Sequence, residues 1–301
     1  MSLRGKGGAQ FMEIAASKEK VRRSSRSFSG MLGVAVKYAV LIAHSVFTLL
    51  PLVWIASNSF RNTDQILTSI RLIPESFDFS NYAKVITASN IPKAFYNSLS
   101  ITFVTLALLL AVALPASFAL SRFRFKASGY IYMFFAAAIF VPGITVLPMV
   151  FKLFNDLHLL GYKYSIVLSY VVGELPLSLF LLVMFMRAIP HELDESAIID
   201  GCGTWKMFTL ITVPMSRNGI VTVLILAFVA VWNDYLLALI MLTNKAYRTL
   251  SVTLAFTKDE NGINYGMMSA SIVFAVVPMI VFYLIIKDQL IKGMTLGAVK
   301  G

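Results

Sequence analysis

Cysteine is almost missing from this sequence: Cys202 is the only one in 301 residues. A lone thiol excludes an internal disulfide and a cysteine-rich metal site. Histidine is scarce too, and His44, His158 and His191 lie far apart without ligand spacing. The Gly-x-x-x-x-Gly-Lys-Ser/Thr phosphate cradle is absent, so no nucleotide site is expected in this chain. Neither His-Glu-x-x-His nor Gly-x-Ser-x-Gly occurs, and nothing reads as a hydrolytic centre or a metal site. Charge is thin as well, at 14% of residues where soluble domains run near a quarter.

What fills the space is apolar: 58% of the residues are hydrophobic. Six apolar segments, near 33–57, 95–120, 129–153, 164–186, 219–242 and 269–290, are long enough to cross a bilayer, which takes roughly 20 residues. Each has to be helical, because lipid offers no partner for free backbone groups. The expected fold is therefore all-α, a polytopic membrane protein of about six spans. The net charge of +11 suggests nucleic acid only superficially, since Lys and Arg gather beside the cytoplasmic ends of spans.

That bias sets the orientation. Placing the N-terminus inside puts the basic arm of residues 1–32, the RFRFK turn at 122–126, Arg187, Lys206, Arg217 and the last lysines on the cytoplasmic side. Both termini are then cytoplasmic. The arm lacks the apolar core of a cleaved signal peptide and reads as a disordered segment near anionic lipid. The glycine-rich tail 291–301 reads as too flexible to fold alone. Between these lies a transmembrane domain over 33–290, with a short surface helix around Tyr82 to Thr87 in its longest outer loop.

One cytoplasmic stretch, 195-ESAIIDGCGTWKMFTLITVP-214, interrupts the apolar runs with mixed polarity. Pro190 can open a helix whose first turn holds Glu192, Asp194 and Glu195, where the helix dipole favours acids. The helix can run to Asp200, with Gly201 and Gly203 as its exit. Thr204 can cap a second helix carrying Trp205, Phe208 and Thr212 on one face, closed by Pro214. Helix, glycine elbow, helix is the shape of a docking device; an ordinary loop folded back on its bundle has the same local signals.

Two carboxylates fall inside spans, Glu174 in the fourth and Asp234 in the fifth, and facing lipid at the centre would cost each roughly 2.5–3.5 kcal/mol. They are expected to face the bundle interior. Gly173 and Pro176 beside Glu174 suggest a broken or bent helix. Glu174, Asn233, Asp234 and Tyr235 either border a translocation path or bond neighbouring helices. Trp54 and Trp232 read as belt aromatics near span ends.

The stretch resembles the cytoplasmic signature of permease subunits in binding-protein-dependent ATP-driven importers: Glu-Ala-Ala, two residues, Asp-Gly-Ala, eight residues, Ile-x-Leu-Pro. Here Glu195-Ser196-Ala197, Asp200-Gly201-Cys202 and Ile211-Thr212-Val213-Pro214 keep that spacing, with Ser196, Cys202 and Val213 as the departures. NSLSITFVT (97–105), ALSRFRF (119–125), FVPGITVLPM (140–149), FLLVMFMRAIPHELDESA (180–197), WNDYLLAL (232–239) and KGMTLGAVKG (292–301) are similar, in the same order, to segments of maltose-type sugar permeases. Residues 1–32 have no counterpart.

The resemblance implies a type I ABC importer permease in a bacterial inner membrane. It would pair with a second, homologous permease subunit. A soluble or lipid-anchored solute-binding protein would deliver a sugar or oligosaccharide. An ATPase subunit dimer would hold the ATP and Mg, leaving this chain without a cofactor and without enzymatic activity of its own. Coupling to the ATPase would fall to the loop within 187–218, chiefly residues 193–203. Glu195 and Asp200 would be its charged contacts and Gly201 its elbow, with Ala197, Trp205 and Pro214 in the same unit. Gly201 also reads as a plain helix stop. Neutral malto-oligosaccharides, acidic uronate oligosaccharides and glycerol phosphates are not separated. The competing class, an ion-gradient-driven secondary transporter using Glu174 or Asp234, leaves 195–214 unexplained. A membrane-embedded lipid-modifying enzyme would need acids or histidines clustered at one membrane face.

Overall fold

Proline and glycine set where the apolar runs bend. The computed structural model describes the backbone of residues 6–87, 90–255 and 264–298, and side chains from residue 31 onward except at 32, 286 and 288–298. The chain divides into two units, Met1–Ser57 and Asn58–Gly301. The first holds α1 (Lys6–Asn58), of which Gly33–Asn58 is apolar enough to span. The backbone of residues 6–32 is helical and continuous with that span, where an unstructured arm was expected. Its first proline is Pro51, so nothing upstream blocks the helix.

The second unit begins with a small plate of α2 (Thr63–Thr68) and α3 (Ser80–Thr87). Helix α3 is the short helix expected after Tyr82, begun two residues earlier. Asp78 starts it: its carboxylate accepts the Ser80 amide at 2.9 Å and the Ser80 hydroxyl at 2.8 Å, which holds its pKa below the usual carboxylate value. Arg61, 5% exposed, closes the plate by donating to Asn58 Oδ1 at 3.1 Å and to the carbonyls of Ser69, at 3.0 Å, and Arg71, at 3.4 Å.

Helices α4 (Ile91–Arg122) and α7 (Lys163–Arg187) form the most extensive helix pair. At 32 and 25 residues they run about 48 and 38 Å, enough for a hydrocarbon core of about 30 Å. They lie parallel: Lys163 donates to Ser100 near their starts, and Arg187 to the Leu120 carbonyl near their ends. Helix α7 is unbroken through Gly173 and Pro176, so no broken helix stands beside Glu174. Proline inside a membrane helix is tolerated when neighbouring groups satisfy the freed carbonyl.

The third apolar segment is a broken element, α5 (Ser128–Ala138) and α6 (Gly143–Asp156), bent by 102° at 139–142. Pro142 has no N–H to extend α5 and stands as N-cap of α6. The fifth segment is also divided. Helix α11 (Arg217–Asn233) stops at Asp234, and α12 (Leu236–Met241) follows. Four described helices are long enough to span, or six elements if α5 with α6, and residues Thr204–Met215 with α11, each count as one bent span. Helix α13 (Leu250–Ala255) and α14 (Tyr265–Ala298) complete the unit. The helix continues to Ala298, so the glycine-rich tail is not loose up to that residue; 299–301, and the polar turn 256–263, lie outside the described residues.

The core packs α4, α7, α11 and α14 around Leu109, Ala113, Leu182, Val223, Ala227 and Phe228. Trp232 belongs here and is not a belt residue. It is 6% exposed, stacks on Phe228 at 5.7 Å, and donates its indole N–H to the Ala275 carbonyl at 3.4 Å. An indole so placed buries a large apolar face and satisfies its one donor across two helices. Asn97 and Ser98, from the NSLS run, pin α4 to the loop before α13: Asn97 donates to the Ala246 and Arg248 carbonyls at 3.1 and 3.0 Å, and Ser98 Oγ accepts the Leu250 amide at 2.8 Å.

Candidate functional site

The acidic helix is α8 (Glu192–Ile199), with Glu192, Asp194 and Glu195 in its first turn. His191, not Pro190, is its N-cap residue. It ends as the glycines foretold. Gly201 has φ +77°, its amide donates to the Ile198 carbonyl at 3.0 Å, and the Cys202 amide reaches back to the Ala197 carbonyl at 2.9 Å. These two bonds are the Schellman pattern, which satisfies carbonyls a helix end otherwise leaves bare. A residue with a Cβ resists that φ, so glycine is the natural occupant. A Cβ there would meet nothing within 4 Å.

The second limb departs from expectation. Gly203, not Thr204, is the N-cap of α9 (Thr204–Lys206). The winding then widens into a π-helical turn over Met207–Thr212 before α10 (Val213–Met215). Pro214 lies inside α10 and does not close it. The chain breaks at Ser216, with a 71° bend before α11. Pro214 removes one amide from the ladder, and the π turn lets Phe208 reach its neighbours without closing a normal α winding.

The two limbs show opposite faces. Asp194 (7% exposed) and Ala197 (5%) point inward on α8, three residues apart and so on one face. Glu195, Asp200, Ile198 and Ile199 point outward, and Ile199 is 85% exposed. Met207 and Phe208 are buried with Phe118 and Met186. Trp205 rests on Phe208 at 5.3 Å between ring centres yet is 70% exposed, so of the three residues expected on one face only Phe208 and Thr212 are buried. Glu195, Ile199, Asp200, Gly201 and Trp205 remain exposed, a mix of apolar and acidic side chains around the elbow, with Pro214 exposed further along.

Two residues central to this arrangement had been assigned other duties. Asp194 read only as a dipole partner and Arg122 only as an orientation marker. In the structure Arg122 Nε stands 3.1 Å from Asp194 Oδ2, with their side chains 3% and 10% exposed. The inward i, i+3 pairing of Asp194 with Ala197 was the available signal.

The span carboxylates sit elsewhere. Tyr170 donates to Asp234 Oδ2 at 2.8 Å, and that oxygen also accepts the Ala238 amide at 2.9 Å. Glu174 lies one turn beyond Tyr170, half-buried on the same face of α7. Asn233 is exposed, and Tyr235 packs with Tyr170 and Met241. Glu174 makes no hydrogen bond to Asn233, Asp234 or Tyr235. None of the four lines the cavity of about 660 Å³ between α4 and α7, bordered by Tyr96, Ser100, Val104, Lys163 and Tyr164. Lys163 Nζ donates to Ser100 Oγ at 3.3 Å and lies over the Tyr96 ring at 5.5 Å. Among the described residues no group of three or more His, Cys, Asp or Glu is placed to hold a metal.

Known proteins resemble this chain over most of its length. The chain is similar to the diacetylchitobiose uptake system permease protein NgcG of Streptomyces coelicolor, 32% identical over 266 residues, covering 87% of this chain and 88% of the relative. It is similar to the trehalose transport system permease protein SugB of Mycobacterium tuberculosis, 30% identical over 85% of this chain and 93% of that one. Its fold matches a chain in the crystal structure of a bacterial ABC transporter involved in the import of the acidic polysaccharide alginate. The TM-score is 0.76 at 20% identity, over 86% of this chain and 97% of that chain. The model of the family described as binding-protein-dependent transport system inner membrane component matches residues 104–295. That stretch takes in the elbow, both of its limbs and the helices that hold them, and the chain belongs to this family of sugar ABC transporter permeases.

Proposed function

We propose that this chain is one half of the transmembrane path of an ATP-driven importer for a sugar or oligosaccharide. A second, homologous permease supplies the other half. A solute-binding protein delivers substrate at the outer face, and both termini are cytoplasmic. ATP and Mg are bound by a partner ATPase dimer, which docks on the outward face of α8 and the elbow. The relatives that handle diacetylchitobiose and trehalose support the substrate class. Glu174, Asn233, Asp234 and Tyr235 are proposed to lie along the path, where Glu174 has no protein partner competing for it.

One observation carries this reading. An acidic helix turned back by a Schellman turn presents Glu195, Ile199, Asp200 and Trp205 outward, while Asp194, Ala197 and Phe208 hold it inward. Large exposed apolar side chains rimmed by charge mark a surface made for a partner. The chain has no phosphate cradle, so work against a gradient needs a motor from outside it.

The test is a complex of both permeases and the ATPase in proteoliposomes, with Ile199→Asp and Trp205→Ala combined in this chain. Co-purification of the ATPase and ATP-driven sugar uptake should each fall at least tenfold, while the permease pair stays assembled. Wild-type uptake by the double variant, or sugar movement by this chain without ATP, overturns the proposal.

A further inference from the structure

The last two turns of α4 receive three contacts from the docking loop and one from the end of α7. Phe118 meets Phe208 of the π turn at 5.2 Å between ring centres. The Leu120 carbonyl accepts from Arg187 Nη2 at 3.4 Å. Arg122 donates through Nη1 to the Ile189 carbonyl at 3.2 Å and sets its Nε 3.1 Å from Asp194 Oδ2. His191 Nδ1 stands 3.5 Å from that same oxygen.

The covalent exits of α8 are less direct. On its C-terminal side the chain leaves through Gly201, around which a Cβ would find only open space, and Gly203. On its N-terminal side it enters through Ala188–His191, which contains Pro190. A push on α8 is therefore passed on through its buried inner face, where Asp194 stands against Arg122 of α4.

The ion pair is also incompletely made. Arg122 Nε and Nη2 and Asp194 Oδ1 have no hydrogen-bond partner, although all are buried. The approach of Nε to Oδ2 is close in distance but not aligned for a hydrogen bond. A guanidinium and a carboxylate prefer a two-bonded fork. A buried pair short of that geometry does little for stability, because desolvation offsets the attraction. Loose donors and acceptors facing each other leave room for a second, tighter arrangement after a small slide of α8 along α4.

We infer that Arg122 is a positioning residue for transport: it carries the displacement of α8 into α4, and its pair with Asp194 tightens to a fork when the docked motor moves α8. This rests on the proposed docking of an ATPase at α8, and it names α4 rather than α7 or α11 as the helix driven.

The test measures sugar molecules moved per ATP hydrolysed in the reconstituted full complex, for wild type, Arg122→Lys, Asp194→Arg and the exchange Arg122→Asp with Asp194→Arg. Lysine keeps the charge and loses the fork. Arg122→Lys should assemble and hydrolyse ATP but move at least tenfold less sugar per ATP. The exchange should recover at least a third of the wild-type ratio, which a merely structural deficit would not do. An unchanged ratio in Arg122→Lys overturns the inference, as does an exchange no better than Asp194→Arg alone. Wild-type uptake that does not depend on ATP removes the docking proposal, and this inference with it. ATP-dependent wild type with a normal Arg122→Lys ratio removes only the inference.

Discussion

Tyr170 and Asp234 meet 2.8 Å apart, hydroxyl to carboxylate, where α11 stops and α12 begins. The same carboxylate oxygen takes the Ala238 amide in the first turn of α12. One acid thus holds the break closed from two sides. Tyr170→Phe removes one bond and keeps the ring, so it should lower stability by about 0.6 kcal/mol, the usual worth of a side-chain bond between membrane helices. Asp234→Ala strands both donors and should cost about 1–3 kcal/mol. Thermal unfolding of the purified complex in detergent reads both; equal losses would show that the tyrosine contact matters as much as the cap.

Gly201 separates backbone strain from partner contact. Its φ of +77° penalises any Cβ, by about 1–2 kcal/mol, but no neighbouring atom lies where that Cβ would go. Gly201→Ala and Gly201→Leu should therefore unfold at nearly the same temperature. Transport should fall much further for leucine, because bulk there meets a docked subunit. Transport that tracks stability alone would show that no partner approaches the elbow.

At Gly219, α11 comes close against Phe185 of α7. A Cβ there would sit 2.5 Å from Phe185 Cγ and 2.8 Å from Phe185 Cβ. Gly219→Ala should destabilise by about 1–3 kcal/mol, as overpacking does. Adding Phe185→Ala should not restore stability, because the Cβ of residue 185 remains in the way. Full rescue in thermal unfolding would show that the ring alone sets the spacing.

Arg61 and Gly266 join the small plate to α14. A Cβ on Gly266 would come within 2.2 Å of the Arg61 carbonyl, while the Arg61 guanidinium is buried among carbonyls. Arg61→Met should cost about 3 kcal/mol or more by stranding those acceptors. It should also speed proteolysis within residues 62–79, and unchanged cleavage would show that the plate stands without it.

Much of the architecture was readable from local chemistry. The elbow was legible because glycine at a helix end and acids in a first turn act within a few residues. The helix near Tyr82 was legible for the same reason. The apolar runs located the spans, but a run of hydropathy says nothing about direction, so the bend at Pro142 and the break at Asp234 were drawn straight through. Pro176 does not break its helix, since a well-packed membrane helix absorbs one proline. Trp232 looked like an interface residue by position along its span, and only the Ala275 carbonyl on another helix explains its burial. The link from Arg122 to the docking loop crosses 67 residues of sequence at its Ile189 contact, beyond the reach of spacing rules.

The π turn over Met207–Thr212 amounts to one surplus residue wound into an otherwise ordinary helix. The wider turn takes up that residue within itself, so Trp205 and the elbow keep the bearing that an uninterrupted winding would give them. It acts as a shim: a single-residue deletion in the adjoining α10, where each residue advances the winding by about 100°, should swing the docking face round relative to α11.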